Sequence, residues 1–571
     1  MTSKLAESSP SRRFHFDASR PVFVLLALLL AILVVFPLFL LLYYAFIDGE
    51  GRATLSNFAT LVSDPTVRRA FGIAILMALG VGALATAVAT PMAWLVTRTD
   101  VPGRGIIRAL VLASFVTPPF LGAVAWEILA APNSGILNDL YRWATGSDGA
   151  LLNIYTFRGL VFAIACYTFP YVFTLVANAL DRIPSDLEDA SAILGATWSV
   201  TLRKITFPLV LPAMLAGSLI ALLQALTLFG SPAILALPAG FHVITTKIWS
   251  YFQFPPQLGL AAASAIPLLL ITILLLRGQR WILGRKGYAV LGGKGAAART
   301  THLGKMRWPA TGLVGFVLCL TVIFPYAALM KAAFTRNISE PLSFASVTLE
   351  NFNFVFFEFS ATRLAMWNTF LLGILSATAV TALVLIISYV VIRRSFKGAS
   401  ALGVLATTPI AIPGIVLGVG LFLSYANPTF MLYGTLWILL IAFVTLGLPA
   451  GYQQMSSAMS SVHADLEDAS RIFGATRLKT LWTITTPLLR TSIIATWCFV
   501  FIATIRELSA TILLTTANTK LVSVIIYDLN ESGDLGAISV LGIMLLTVSF
   551  FVVFLANKVP LMSSNRLPLR G

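Results

Sequence analysis

The carboxylates of this chain that stand in a recognisable pattern come as a set that occurs twice. Asp186, Glu188 and Asp189 lie in DLEDASAILGATWSVTLRKITFPLVLP (Asp186–Pro212), and Asp465, Glu467 and Asp468 in DLEDASRIFGATRLKTLWTITTPLLRT (Asp465–Thr491). Ala190, Gly195 and Pro208 of the first copy align without a gap with Ala469, Gly474 and Pro487 of the second. The chemistry these residues suit is docking. Asp186 or Ser185 is expected to cap a short helix running through Glu188, Asp189 and Ala190, with the acidic groups near its positive end. Ala190, Ser191 and Ala192 leave room for a partner surface. Gly195 and Gly474 permit a turn or a close backbone contact. Pro208 and Pro487 fit the first turn of a following helix. An ordinary capped helix at an interface is the competing, weaker reading of a single copy; two gap-free copies favour a docking element.

A second charged pair stands alone. Arg506 and Glu507 are adjacent in an otherwise apolar run, where charges are costly unless paired or turned to a cavity. Side chains one residue apart diverge by about 100° on a helix, so the two are expected to find different partners, one lining a pathway and the other bonding to a neighbouring helix. Their counterparts in the first copy are Thr227 and Leu228, which argues against a symmetric ring. Glu127 is a further pathway candidate, or an interfacial residue beside Trp126.

Metal chemistry has no such pattern. His15, His242, His302 and His463 are scattered, and neither they nor Cys166, Cys319 and Cys498 show ligand spacing. His463 is expected on the docking surface. No metal site is assigned.

The elements that must position these residues are membrane helices. The chain has 571 residues, 58% of them hydrophobic and only 11% charged, with a mean hydropathy of +0.89. Continuous apolar runs of about 20 residues suit helical spans rather than an alternating barrel. They fall near 22–46, 71–96, 108–130, 157–180, 208–237 and 258–277, then 308–333, 366–392, 401–425, 431–451, 488–514 and 533–556. Gly230, Ser231 and Pro232 leave the fifth broken or tilted. The first run follows Lys4, Arg12, Arg13 and Arg20 and reads as a retained span, not a cleaved leader.

The fold class is therefore an all-α polytopic membrane protein of about twelve spans, duplicated six plus six. The expected boundaries are 1–280 for the first domain, 281–307 for a cytoplasmic linker and 308–571 for the second. The net charge of +16 is explained by positive loops held on the cytoplasmic side, with no nucleic acid partner. Arg98, Arg104, Arg108, Arg203, Lys204, Arg393 and Arg394 then fall inside with both termini, and the two repeats lie parallel in the bilayer.

The repeated segments resemble the EAA loop of permease subunits of ATP-binding-cassette (ABC) importers, with Glu-Asp-Ala in place of Glu-Ala-Ala. RELSATILL (Arg506–Leu514) and IIYDLNESGDLGAISVLG (Ile525–Gly542) resemble the fused two-domain permeases of binding-protein-dependent ferric iron uptake, over essentially the whole chain. LTLFGSPAILAL (Leu226–Leu237) is a weaker first-half version. The resemblance implies two type I six-helix transmembrane domains, two copies of an ABC ATPase subunit, a periplasmic solute-binding protein and an inner-membrane location. It implies that Asp186, Glu188, Asp189, Ala190, Gly195 and Pro208, with Asp465, Glu467, Asp468, Ala469, Gly474 and Pro487, couple the chain to the ATPases. The chain itself would be no enzyme and bind no cofactor. It has no P-loop, so ATP would be used by the partner. Thiamine, polyamines and phosphonates are alternative cargoes implied by related permeases, and a secondary transporter is the alternative of a different class.

Overall fold

The computed structural model describes residues 19–285, 300–338, 340, 346–393 and 398–564. Among them there are helices and three isolated bridges but no strands. His15 and most of the expected linker lie outside the described residues.

Nine described helices are long and apolar enough to cross a bilayer, and up to twelve spans result if each of three bent pairs is one. Two of the bends interrupt expected runs, 108–130 and 401–425, and the third falls at the start of the run expected from 488. Arg104–Val116 and Pro119–Ala130 meet at 100°, Ala399–Ala411 and Gly414–Tyr425 at 110°, and Arg477–Leu488 and Arg490–Ile505 at 81°. Proline causes the first two. Thr117 precedes Pro118 and Ile412 precedes Pro413, and both adopt extended backbone (ψ 127° and 111°), because a proline ring excludes the helical conformation from the residue before it. The fifth span breaks after Thr227 and resumes as Gly230–Leu235, as its Gly-Ser-Pro suggested. The eleventh does not run to residue 514: it ends at Ile505 and resumes at Thr511.

Four wide turns recur at matching places. Ala31–Val35, Leu202–Thr206, Cys319–Ile323 and Leu481–Thr485 are π-helical, and each is followed two residues later by Pro37, Pro208, Pro325 or Pro487. A proline lacks the N–H that a regular turn would use and crowds the carbonyl one turn back, so the widened turn accommodates it.

The two halves are interlocked. The first helix of the chain packs against the second half, where Tyr425 donates to the Ile32 carbonyl at 2.8 Å and Thr445 to that of Leu33 at 3.3 Å. The first helix of the second half returns the exchange. Val314 and Leu318 are buried in one core with Met92, Val111 and Val172, and Tyr326 Oη lies 2.6 Å from Thr117 Oγ1. Helix Phe157–Asp181 is central, with 72% of its most apolar stretch buried against 33% for Pro65–Arg98. Leu25, Phe39, Leu76, Trp367 and Phe551 remain more than half exposed, a surface that hydrocarbon rather than water can cover.

Candidate functional site

Each repeated segment folds as a short helix closed by a glycine. The first runs Ser185–Ile193 and the second Ala464–Ile472. The cap positions are Pro184 and His463, with no side-chain cap bond, so capping by Asp186 or Ser185 is not what the chain does: Ser185 is already the first helical residue. Asp186 and Glu188, and likewise Asp465 and Glu467, stand in the first turn, where carboxylates meet the positive end of the peptide dipoles.

At the other end, Gly195 N donates to the Ala192 carbonyl and Ala196 N to that of Ser191; Gly474 and Ala475 do the same to Arg471 and Ser470. This is a Schellman closure. It requires the left-handed φ of +77° and +84° found at the two glycines. A Cβ at either would meet nothing of this chain within 4 Å, so within the permease the glycines serve the turn. The chain then enters a wide turn and Pro208 or Pro487, both in the first turn of the next helix.

The side chains of each short helix divide into two sets. Asp186, Ala190, Asp465, Asp468 and Ala469 are exposed, and Asp189 is partly so. The apolar tips are the most exposed: Ile193 and Leu194 at 86%, Ile472 at 83% and Phe473 at 92%. Glu188 and Glu467 turn inward instead. Glu467 accepts from Arg393 Nε at 3.0 Å and Nη2 at 2.9 Å, and from Thr485 Oγ1 at 2.9 Å. Glu188 accepts from Thr206 Oγ1 at 3.2 Å and lies 3.6 Å from Arg98 Nη1. Ser191–Thr201 and Ser470–Thr480 hydroxyl pairs, at 2.8 and 3.2 Å, repeat the same internal tie. In the sequence Arg98 and Arg393 read only as positive-inside charges. The signal available was that each ends the long span of its half.

Arg506 and Glu507 sit at a helix break, not within a helix. Arg506 Nη1 donates to the Phe115 carbonyl at 3.0 Å, at the C-terminal end of helix Arg104–Val116 in the other half. Glu507 stays within its own half, accepting from Ala510 N at 3.0 Å. Its Oε1 is 3.1 Å from where a Cβ on Gly414 would stand, at the start of helix Gly414–Tyr425. The cation thus meets a negative helix end and the carboxylate a positive one.

The breaks converge at the centre of the bundle. Ser231 Oγ donates to the Pro119 carbonyl at 2.8 Å, and a Cβ on Gly230 would come within 2.7 Å of Phe120 and 3.0 Å of Leu508. Only a glycine fits that approach between the halves. A cavity of about 20 Å³ remains beside Arg506, lined by Thr117, Tyr167, Thr168, Tyr171 and Gln224, room for one water. Glu127 bridges the halves elsewhere, accepting from Tyr155 Oη and from Asn530 Nδ2, each at 2.7 Å. Of the other histidines, His242 lies 3.4 Å from Thr246 Oγ1 and His302 3.4 Å from Asp100 Oδ2. Among the described residues no three His, Cys, Asp or Glu side chains are grouped to hold a metal ion.

A duplicated bundle of broken spans, with a closed polar helix repeated on each half, defines a membrane permease. The chain belongs to the family of binding-protein-dependent transport system inner membrane components, which matches residues 89–287 and again 384–559. It is therefore a multi-pass membrane protein, the permease subunit of an ABC importer, and a member of the fused, two-domain kind.

The chain is 25% identical over 546 residues to the ferric transport system permease protein FbpB of Actinobacillus pleuropneumoniae, covering 95% of this chain and 78% of that one. It is 27% identical over 245 residues to the sulfate transport system permease protein CysT of Escherichia coli, covering 42% and 86%. Among solved structures, a bacterial alginate ABC transporter in complex with an alginate pentasaccharide-bound periplasmic protein matches at 17% identity and a TM-score of 0.39, over 48% of this chain and 98% of that one.

Proposed function

We propose that this permease imports ferric iron, delivered by a periplasmic solute-binding protein and driven by two copies of a separate ABC ATPase. The observation that carries the cargo is the ferric permease relative, which aligns over 95% of the chain and so through both halves. The ATPases dock on the cytoplasmic helices Ser185–Ile193 and Ala464–Ile472, and the exposed tips Ile193, Leu194, Ile472 and Phe473 support that reading. Residues 1–280 and 308–571 act as the two permease domains, residues 281–307 as the cytoplasmic link, with both termini inside and the whole in the inner membrane.

Closure of the ATPases on ATP pulls both docking helices and opens the pathway outward; hydrolysis restores the inward state. The chain does no covalent chemistry and binds no cofactor of its own. Its work is a shift between two conformations by differential contacts in each. Arg506 is the latch of the closed pathway: it ties the end of one broken helix to the other half.

An oxyanion cargo is the second reading, favoured by the sulfate permease relative and by the guanidinium beside the central cavity. Thiamine, polyamines and phosphonates have no such observation behind them.

The test is ATP hydrolysis by the reconstituted permease with its copurified ATPase, adding the binding protein empty or iron-loaded. Stimulation by the iron-loaded form alone, with iron entering the vesicles, is the expected result. An ATPase that responds to the binding protein but ignores iron would redirect the cargo to oxyanions. Failure to recover any ATPase would remove the docking role of the repeated helices.

A further inference from the structure

The inward-facing glutamates have a task that exposure cannot explain. Arg393, at the end of helix Ser360–Ile392, holds Glu467 by two hydrogen bonds and the Val462 carbonyl by a third at 2.9 Å. The glutamate and arginine side chains are only 5% and 16% exposed. Arg98, at the end of helix Pro65–Arg98, is 1% exposed and donates from Nη2 to the carbonyls of Leu180 and Ile183, the latter at 2.7 Å. Its Nη1 faces Glu188. In both halves, then, one guanidinium stands where three elements meet: the long helix that it ends, the segment just before the docking helix, and the docking helix itself, which Arg393 reaches by hydrogen bonds and Arg98 by a 3.6 Å ion pair without one.

The first of these junctions carries one more strand of chain. Thr301 N donates to the Arg98 carbonyl at 2.8 Å, Asp100 N to that of Thr301 at 3.3 Å, and Leu303 N to Asp100 Oδ1 at 3.0 Å. The chain that enters the second half is thereby stapled to the residue whose guanidinium faces Glu188 of the first docking helix. Beside it lies a cavity of about 770 Å³ lined by Trp94, Arg98, Glu188, Thr201, Thr301 and His302.

We infer that Arg98 and Arg393 are positioning residues of coupling, which pass the displacement of each docking helix to helices Pro65–Arg98 and Ser360–Ile392, and that Arg98 yokes the first docking helix to the connection between the halves. A rigid guanidinium fork suits this task, because it holds carboxylate and carbonyl oxygens in fixed directions at once. Glu188 and Glu467 act inside the permease in this arrangement; contact with the ATPase falls to the exposed tips. The inference rests on the docking of an ATPase at these helices.

A double-mutant cycle tests it in the reconstituted complex, reading ATP hydrolysed per solute delivered and the amount of ATPase recovered with the permease. Arg393→Gln and Glu467→Gln are each expected to raise that ratio about tenfold, the scale of a typical coupling free energy. The double variant rises no further, because the two residues act as one unit. Arg98→Gln, Glu188→Gln and their double behave alike, and ATPase recovery stays at the wild-type level throughout. Arg393→Lys keeps the charge without the fork and restores part of the coupling.

Multiplying effects in the double variants, or an unchanged ratio, would overturn the inference. So would Arg393→Lys coupling no better than Arg393→Gln. Wild-type permease that recovers no ATPase would overturn the proposed function and this inference together; intact recovery with multiplying effects overturns the inference alone.

Discussion

Arg506 of the second half donates to the backbone carbonyl of Phe115 in the first, across 3.0 Å, where two interrupted helices meet. Its guanidinium also lies over the Phe115 ring, 5.8 Å from the centroid. A hydrogen bond from a charged donor contributes about 1.5–3 kcal/mol, enough to bias a two-state gate by one to two orders of magnitude. Arg506→Gln is expected to raise ATP hydrolysis in the absence of binding protein at least several-fold while the permease still inserts. Basal hydrolysis that stays at the wild-type rate would remove the latch.

The exposed tips of the docking helices give a second prediction. Burying a large apolar side chain at a partner surface contributes about 2–3 kcal/mol. Leu194→Asp and Phe473→Asp should each weaken ATPase recovery by one to two orders of magnitude, and together abolish it. Neither change alters the helices themselves, since both side chains stand almost wholly in solvent. Recovery of ATPase by the double variant at wild-type yield would show that the docking surface lies elsewhere.

A third concerns Gly195 and Gly474. Left-handed backbone costs an ordinary residue about 1–2 kcal/mol, and the open space around both Cα atoms leaves conformation as the penalty within the permease itself. Replacing both with valine should loosen the C-terminal closure of the docking helices and uncouple hydrolysis from transport, with normal insertion. Asparagine, which tolerates this region, should be milder. Equal transport by valine and glycine variants would be the contrary outcome.

The staple at Asp100 has a pH sign. The Leu303 N–H, with the nearby His302 ring, holds the Asp100 carboxyl below its ordinary value of 3.8. A group depressed in the folded state stabilises it fully above the unfolded pKa and loses that contribution as pH falls through the lower folded value. The staple is therefore intact from neutral pH down to about pH 4, the ordinary carboxylate range, and lost only below it. Asp100→Asn should mimic the loss at neutral pH, seen as faster amide exchange at Leu303. Unchanged exchange there would contradict the assignment.

Much of this architecture is legible in the amino-acid order, for physical reasons that can be named. Hydropathy reveals the spans because every lipid-facing residue must be apolar, and the gap-free copies reveal the two short repeated helices because glycine and proline mark their ends. Thr117–Pro118–Pro119 and Ile412–Pro413–Gly414 are less visible: an average over an apolar window passes through a bend of 100° or 110° without change. Arg98 and Arg393 are hidden for another reason. A basic residue at the cytoplasmic end of a span is ordinary, and only the tertiary approach of Glu188 and Glu467 gives these two a role. The exchange of first helices between halves leaves no local mark, since Tyr425 and Ile32 are nearly four hundred residues apart. Glu507, which the residue pattern set beside Arg506, proves to serve its own half's broken helix.

The interruption after Ile505 carries a charge that its counterpart after Thr227 lacks. Two identical separate subunits would have to carry the same cation at both breaks. Covalent fusion removes that constraint. Once the halves always meet each other and never themselves, each is free to drift toward a distinct part, one supplying the guanidinium and the other the carbonyl that receives it. The permanence of the pairing, secured by one polypeptide, is what lets the contact between the broken helices be made of unlike pieces.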